Sequence, residues 1–354
     1  MSLRLQAMLR IFGAIIAASS LISLPPLLIA LALDENTVVA FLESMATPGI
    51  LGLLLWWPVR HVQYELRLRD GFLITTSIWV IASLITAMPF TLAAPHLSYT
   101  DAVFEAASGL TTTGATTITG LDALPRSMLF FRQSLNFYGG MGIVILAIAI
   151  LPMLKIGGMQ LFRAETTGPQ KDNKLTPRIA ETARALWMVY LGLNILCALS
   201  YWVGGMSFFD AVCHAMSTVA TGGLSTHDAS FGYWNTPLID GIAIFFMLLG
   251  GINFGMHWYA WRRATVGHYQ SDSELRSFLI IVLVVSLIVS ANIFLSGRFD
   301  NIFDALRHGT FQVVSNITTS GFTTTGFSDW PGLAPLLLVM ISFIGGCAGS
   351  TSGG

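Results

Sequence analysis

Long apolar stretches separated by short polar segments dominate this chain. Crossing the hydrocarbon core of a bilayer as a helix takes roughly 20 apolar residues. Uncharged stretches near or above that length lie at 11–33, 71–100, 133–154, 185–209, 241–261, 277–297 and 330–354, with a shorter one at 44–59. The pattern predicts an all-α polytopic membrane protein with eight candidate spanning segments. The first stretch is too long for the apolar region of a signal peptide, so we expect a retained helix.

Between the apolar stretches one motif occurs three times, which indicates an internal repeat. Each copy opens with Asp-Ala and closes on a glycine after a Thr/Ser/Gly-rich run, at 101–114, 210–223 and 304–321. The distance from the Asp to the final Gly is 13 positions in the first two copies and 17 in the third. The four extra residues correspond to about one helical turn. In all three copies a serine precedes the final glycine by six positions.

Each copy predicts a short helix followed by irregular backbone, so we expect a re-entrant hairpin between two spanning helices. A carboxylate is favoured at the positive end of a helix, and Asp101 and Asp210 therefore mark helix starts. About three turns later the helices should end, near Ser108, Ser217 and Ser315. The partial negative charge of each helix end would then be directed at a cation.

The residues that follow each predicted helix are candidate ion ligands. Irregular backbone at membrane depth is tolerated only where it is buried in protein or lines a water-filled path. Glycine allows carbonyl groups to point toward an axis, and carbonyl rings can replace the hydration shell of potassium. A single copy would suit an ordinary extracellular loop, whereas threefold recurrence favours a selectivity filter. The predicted filter residues are Thr111, Thr112, Thr113, Gly114, Ala220, Thr221, Gly222, Gly223, Thr318, Thr319, Ser320 and Gly321.

A glycine pair follows each filter segment, at 139–140, 250–251 and 345–346, and we place it well inside the second helix of the repeat. Close helix packing explains the first two pairs as well as any function does. The third pair opens a run of ten small residues, which cannot be expected to hold a continuous helix. We predict a flexible intramembrane loop that acts as a gate below the filter. Its residues are Gly345, Gly346, Cys347, Ala348, Gly349, Ser350, Thr351, Ser352 and Gly353.

Composition and charge agree with a membrane protein, because 54% of the residues are hydrophobic and only 10% are charged. Fourteen of the 18 Lys and Arg residues fall on one set of alternate connections, which the positive-inside rule assigns to the cytoplasm. The other side carries four basic and twelve acidic residues, so its net charge is -8. That face would concentrate cations. The alternative is that membrane topology alone leaves few basic residues outside.

Other chemistry finds little support in the sequence. The three cysteines show neither CxxC nor Cys/His ligand spacing, so we expect no disulfide framework and no zinc site. Ser225, His227 and Asp228 are close in sequence, but adjacency along a chain does not make a catalytic triad. His214 could line a cavity, although a packed and satisfied histidine is the more common case. We therefore expect a protein that is not an enzyme and binds no nucleic acid.

These residues together resemble the Trk/Ktr/HKT superfamily of potassium transporters, and the chain is most similar to its bacterial Trk-type membrane subunit, TrkH. The resemblance rests on Thr111 to Thr116, Ser315 to Phe322 and above all Gly345 to Thr351. It implies helix–pore-loop–helix repeats around a pseudo-fourfold ion pathway, with potassium as the substrate and no organic cofactor. It also implies a homodimer in the lipid of the bacterial inner membrane, a cytoplasmic N-terminus, and a cytosolic nucleotide-binding regulatory subunit (TrkA-like).

By this resemblance the chain divides into an N-terminal two-helix hairpin at 1–70 and repeats at 71–165, 185–268 and 275–354. The third repeat is incomplete and a fourth is absent, so we expect a fragment of a longer transporter that alone conducts little. Two alternatives remain open: a sodium-selective transporter and a sodium- or proton-coupled symporter on the same scaffold. Glycine in the final filter position favours potassium. Ser352 stands where the family would lead us to expect glycine.

Overall fold

The computed structural model describes residues 2–62, 68–142, 179–265 and 267–353, and all regular secondary structure in these ranges is helical. The described residues form two compact units. Of the described residues, the first unit comprises 2–62, 68–111, 115–142 and 179–184, and the second comprises 112–114, 185–265 and 267–353. The fold class predicted from the hydrophobic pattern is confirmed.

The first unit contains seven complete α-helices within the described ranges. They are α1 (Leu3–Ser19), α2 (Leu24–Ala32), α3 (Val38–Trp56), α4 (Leu68–Thr86), α5 (Met88–Leu92), α6 (Tyr99–Leu110) and α7 (Arg126–Gly140).

Helices α1 and α3 pack against each other at two glycines. A methyl group added to Gly13 would lie 2.6 Å from the backbone nitrogen of Trp56, and one added to Gly52 would lie 2.3 Å from that of Ala17. Small residues at a crossing let two backbones approach closely, and this approach stabilises helix pairs in lipid. The predicted N-terminal hairpin therefore has a tight glycine-lined contact.

The second unit continues with the remaining helices of the described ranges. They are α8 (Ile179–Val203), α9 (Phe208–Val219), α10 (Pro237–Gly250), α11 (Phe254–Arg263), α12 (Gly267–Ser271), α13 (Ser273–Leu295), α14 (Ile302–Ile317) and α15 (Ala334–Ser342). Helix α8 begins at the end of the first unit and runs into the second.

Five helical stretches are long and apolar enough to cross a membrane in the part of the chain that the structure describes. They are Leu3–Ala32, Val38–Val59, Leu73–Leu92, Ala183–Val203 and Ser273–Leu295. The protein is therefore a multi-pass membrane protein. The stretch at 133–154 lies largely outside the described residues.

Two predicted spans are wrong as continuous helices. Within the described residues, the stretch at 330–354 contains only α15, Ala334–Ser342, as helix. The apolar stretch at 241–261 is divided into α10 and α11, which meet at an angle of 96°. The break falls on the second glycine pair. Helix α7 likewise ends at Gly140, and α15 ends at Ser342, before the third pair. The first two glycine pairs therefore lie at helix ends and the third lies beyond the end of α15, because glycine destabilises a helix interior and its backbone is free to turn.

Candidate functional site

Three short helices, α6, α9 and α14, carry the repeated motif, and their N-termini show why each begins where it does. The hydroxyl of Ser98 accepts a hydrogen bond from the Asp101 amide and donates to its carboxylate at 2.7 Å. Ser207 and Asp210 form the same reciprocal pair. The helices begin at Tyr99 and Phe208, two residues before the Asp, because the preceding serine is the N-cap, and both Asp residues lie in the first turn.

The C-terminal ends of these helices fall where the sequence placed them, two residues beyond the repeated serines. The first two helices have 12 residues and α14 has 16, which confirms the extra turn in the third copy. Ser108 donates a hydrogen bond to the carbonyl of Ala115 at 2.6 Å, and Ser315 donates to that of Phe322 at 2.7 Å. In the first and third copies the serine thus secures the carbonyl that directly follows the final glycine, which accounts for the spacing of six in these two copies.

The backbone of the three predicted filter segments repeats one unusual conformation. The φ angles are 54° at Thr112, 51° at Thr221 and 54° at Thr319, all in the left-handed region. The glycine two positions later is also left-handed, with φ of 76°, 71° and 83° in the three copies, while the residue between keeps a negative φ. The same alternation in all three copies shows that the local backbone geometry is equivalent in the three segments.

The segments containing Gly114, Gly223 and Gly321 all belong to the second unit and follow one another in space as they do in sequence. A methyl group added to Gly114 would lie 2.4 Å from the carbonyl oxygen of Gly222. One added to Gly223 would lie 1.9 Å from the carbonyl oxygen of Ser320, whereas one on Gly321 would meet no atom within 4 Å. Glycine is therefore required at the first two positions both by φ and by the neighbouring backbone.

Aromatic residues join the second and third copies behind these segments. Phe231, fully buried, lies in the connection between α9 and α10. Its ring centroid is 4.7 Å from that of Phe322, 5.4 Å from that of Phe311 and 5.4 Å from that of His214. The contacts with Phe322 and His214 are edge-to-face and the contact with Phe311 is tilted, and such contacts add stability beyond the buried area. This cluster could not be predicted from the sequence, because its rings come from separate segments.

The histidine in α9 is a packed residue, as the commoner reading predicted. His214 is fully buried, and its ring nitrogens contact the Asp210 carbonyl and the Ser225 hydroxyl, each at 2.9 Å. His227 instead stacks on Tyr233, with ring centroids 3.6 Å apart. The Ser225 hydroxyl contacts the ring of His214 and accepts from the backbone amide of His227 at 3.1 Å, so the contacts shown for this loop are those of a packed structure.

Arg132 and Arg307 are two of the four basic residues on the side that we predict to carry a net charge of -8, and both form ion pairs with buried carboxylates. The Arg307 Nε lies 2.6 Å from a carboxylate oxygen of Asp240, which is 1% exposed and lies in the first turn of α10. Arg132 lies 3.6 Å from Glu105, and both are almost fully buried.

Burial by itself raises the pKa of Asp210, but hydrogen bonds from Ser207 and Thr226 outweigh it and lower that pKa. Asp210 therefore keeps its negative charge at neutral pH.

The glycine-rich segment after α15 has no helix, as predicted, and it is folded against the break between α10 and α11. The amides of Cys347 and Thr351 donate to the carbonyls of Gly251 and Gly250, at 2.8 and 3.1 Å. Helix α10 ends at these glycines, so their carbonyls are available to accept. The break thus supplies the acceptors that hold the segment.

Side chains connect the same segment to the filter and to neighbouring helices. The Thr351 hydroxyl lies 2.8 Å from the carbonyl of Val219, the last residue of α9. The Gly353 amide donates to the Thr319 hydroxyl at 2.8 Å. The predicted gate residues therefore lie directly beside the filter segments of the second and third copies.

Two residues that the sequence reasoning missed hold the other end of the segment. The Asn253 side chain donates to the Ala348 carbonyl at 2.7 Å, and the Glu274 carboxylate accepts from the Ala348 amide at 2.7 Å. Asn253 also caps α11 by accepting from the Gly255 amide. An Asn three positions after the first glycine of the second pair was an available signal for a helix start. Glu274 gave no signal, since it lies 74 residues from its partner.

Comparisons with known proteins cover nearly the whole chain. The family profile of TrkH, described as a cation transport protein, matches residues 38–354. The "Trk system potassium uptake protein TrkH" of Halomonas elongata is 48% identical over 355 residues, covering 100% of this chain and 73% of that protein. The protein of the same name from Escherichia coli K12 is 45% identical over 350 residues, with 99% and 72% covered.

A solved structure is also similar. The crystal structure of the potassium transporter TrkH from Vibrio parahaemolyticus matches with a TM-score of 0.88 and 44% sequence identity. The match covers 99% of this chain and 72% of that one.

Proposed function

The chain belongs to the TrkH family of cation transport proteins, and from that membership we propose that it takes up potassium across a bacterial inner membrane through a backbone-lined filter. Its relatives are transporters and not enzymes, and their name assigns them potassium. Potassium is thus the substrate, and the residues of this chain serve to select it and to control its passage.

The repeated left-handed pairs, such as Thr112 with Gly114, are the observation that carries the filter assignment. A backbone that departs from common angles at equivalent positions in three copies is over-determined by its surroundings, which is typical of functional sites. Rings of carbonyl oxygens replace the hydration shell of potassium at little cost when their positions are fixed. The C-terminal end of each short helix adds a partial negative charge close to its filter segment.

We propose that Gly345 to Gly353 is the gate of this pathway. Its support is position, because the segment lies against Thr319 of the filter and against the carbonyl end of α9 at Val219. It is held by hydrogen bonds from short polar groups and backbone, and no large apolar side chain has to leave a core when it moves. Opening therefore requires the exchange of a few hydrogen bonds, each worth about 1 kcal/mol net.

The alternatives of sodium selectivity and proton coupling remain as outcomes of the test below. A coupled carrier needs a carboxylate that can take up and release a proton within the membrane. The buried carboxylates at Asp70 and Asp240 are each paired with an arginine, Arg4 and Arg307. Each of these carboxylates has a fixed ion-pair partner, so we favour channel-like passage along the potassium gradient over proton coupling.

Relatives named as parts of a Trk system place this protein within a multi-component assembly. We propose that it works as a homodimer with a cytosolic nucleotide-binding regulatory subunit. The N-terminus and the basic connections face the cytoplasm in this arrangement, as the positive-inside rule predicts.

The filter assignment is tested by Gly114→Ser in the protein produced from its native gene, purified and reconstituted into liposomes. We expect the ratio of potassium to sodium flux to fall about tenfold, equivalent to ~1.4 kcal/mol. The reason is that a side chain at Gly114 would contact the Gly222 carbonyl and displace it. Gly120→Ser is the matched control, because Gly120 is also left-handed but has open space around it. Equal flux ratios in the two variants would refute the assignment.

A further inference from the structure

The position nine residues before each filter glycine holds a buried polar residue. It is Glu105 in the first copy, His214 in the second and Gln312 in the third. Their exposed fractions are 1%, 0% and 0%. Each lies three residues before the repeated serine, about one turn back along its short helix. A buried polar group costs free energy unless it is hydrogen-bonded, so three such groups at one position require a common explanation.

In all three copies this side chain contacts the segment two to four residues beyond the filter glycine, and the chemistry of the contact differs. The Glu105 carboxylate accepts from the backbone amides of Thr117 and Ile118 and from the Thr116 hydroxyl. The His214 ring meets the Ser225 hydroxyl at 2.9 Å. These contacts hold the segment that follows the filter glycine in the first and second copies.

The third copy uses the opposite polarity. The Gln312 carboxamide donates to the Thr325 carbonyl at 3.0 Å. An acceptor therefore meets amides in the first copy, an imidazole meets a hydroxyl in the second, and a donor meets a carbonyl in the third. Each side chain matches the hydrogen-bonding groups of the segment that it contacts, so the three side chains are not interchangeable.

A second contact lies one turn earlier in two of the copies. Asp210 accepts from the Thr226 hydroxyl at 2.7 Å, and His308 meets the Thr324 hydroxyl at 2.8 Å. Both threonines lie three residues after their filter glycine. In the first copy Arg132 instead approaches from α7 and donates to Thr116 at 3.0 Å. The segment that follows each filter glycine is thus held by two contacts.

We propose that Glu105, His214 and Gln312 are positioning residues for ion selectivity, because they fix the segment that directly follows the filter glycine and its carbonyls. The inference rests on the proposed filter and adds to it the residues that determine its geometry. Selective binding needs ligand groups held to within about half an ångström, and supporting side chains with locked hydrogen bonds provide this precision. Loss of a supporting contact should therefore weaken discrimination between ions before it weakens folding.

The test compares Gln312→Met with Asn316→Leu in the protein produced from its native gene, reconstituted into liposomes. Both variants remove a carboxamide from α14 at similar volume. The Asn316 side chain donates to the backbone carbonyl of Gln312 within the same helix, so its substitution controls for the loss of a polar group. We expect Gln312→Met to lower the ratio of potassium to sodium flux about tenfold, equivalent to ~1.4 kcal/mol, and Asn316→Leu to change it less than twofold.

If Gln312→Met does not fold, Gln312→Asn replaces it, because the shorter side chain stays polar but no longer reaches the Thr325 carbonyl. An equal loss of selectivity in the Gln312 and Asn316 variants would overturn the proposal, since it would show a general effect on α14. An unchanged ratio in the Gln312 variant beside a lowered ratio in Gly114→Ser would overturn it while leaving the filter intact. Unchanged ratios in both would show that the filter assignment itself fails.

Discussion

The filter segments and the glycine-rich segment after α15 are both built from small residues, yet their backbones are held in different ways. In the filter, buried side chains of the short helices secure the segment that follows the filter glycine. Gly223 lies against the backbone of the third copy with no room for a methyl group. In the glycine-rich segment, most contacts are backbone amides donating to the carbonyls of a broken helix. The first arrangement fixes one geometry, whereas the second can be released and formed again.

Steric demand separates the two regions as well. A methyl group on Gly223 would meet a fixed carbonyl at 1.9 Å, while one on Gly353 would meet the Thr319 hydroxyl at 3.4 Å. A side-chain hydroxyl can move aside more easily than a backbone carbonyl. Glycine thus serves close approach at Gly223 and leaves room at Gly353, although Gly346 of the gate segment is also confined, because a methyl group there would lie 2.6 Å from the Ser352 Cβ. The next three substitutions test this distinction, beginning with the largest expected effect.

Gly223→Ala should have the largest effect, because it combines a left-handed residue with a backbone clash. The conformation alone costs about 1–2 kcal/mol for an alanine, and the clash with the Ser320 carbonyl adds to it. We expect potassium uptake to fall at least tenfold and the melting temperature to drop. Gly120→Ala carries the conformational cost without the clash and is the control in the same flux and thermal assays. Equal losses in both variants would remove the distinction between filter and loop glycines.

Thr351→Val should have an intermediate effect of opposite sign. The substitution keeps the volume but removes the hydroxyl that donates to Val219 and Gly250. Loss of about 1 kcal/mol of hydrogen bonding would raise the population of a released segment about fivefold. We expect a matching increase of unstimulated potassium flux, with Thr351→Ser close to the parent protein. A decreased flux in Thr351→Val with normal expression would contradict the gate.

Glu274→Ala should have the smallest effect. The carboxylate accepts from the Ala348 amide, but Glu274 is exposed and water can replace the lost bond. We expect less than a threefold rise in unstimulated flux, because solvent-exposed hydrogen bonds contribute at the lower end of about 0.5–1.5 kcal/mol. Glu274→Gln keeps an acceptor and should match the parent protein. A larger effect than that of Thr351→Val would reverse the order of the two attachment points.

The sequence predicted what depends on local pattern. Spanning segments, the three short helices, the extra turn of α14 and the non-helical run after α15 follow from hydropathy, from Asp and Ser positions and from glycine content. The assignment of ions to the filter segments stays a prediction, and the relatives support potassium transport by their names. The spacing of six between serine and glycine was visible, and the structure supplies its reason in the hydrogen bond from Ser315 to Phe322.

Features that depend on distant partners could not be predicted. The break at 250–253 lies within a continuous apolar stretch, and it is stabilised by a segment about a hundred residues later, at Cys347 and Thr351. The left-handed angle of Thr221 was also missed, because threonine rarely adopts it and only the surrounding contacts impose it. Pairs such as Arg307 with Asp240 form between helices, where spacing along the chain carries no information.

The glycine pair at the break also restricts how this sequence can diverge. A methyl group on Gly250 would lie 3.0 Å from the Thr221 methyl and 3.3 Å from the Thr351 hydroxyl. One on Gly251 would lie 3.1 Å from the Thr318 methyl and 3.4 Å from the Ser352 hydroxyl. Natural substitutions at either glycine are therefore coupled to the filter and the gate at once. A descendant of this protein can enlarge one of these sites when a neighbouring side chain shifts or becomes smaller, so the three regions evolve together.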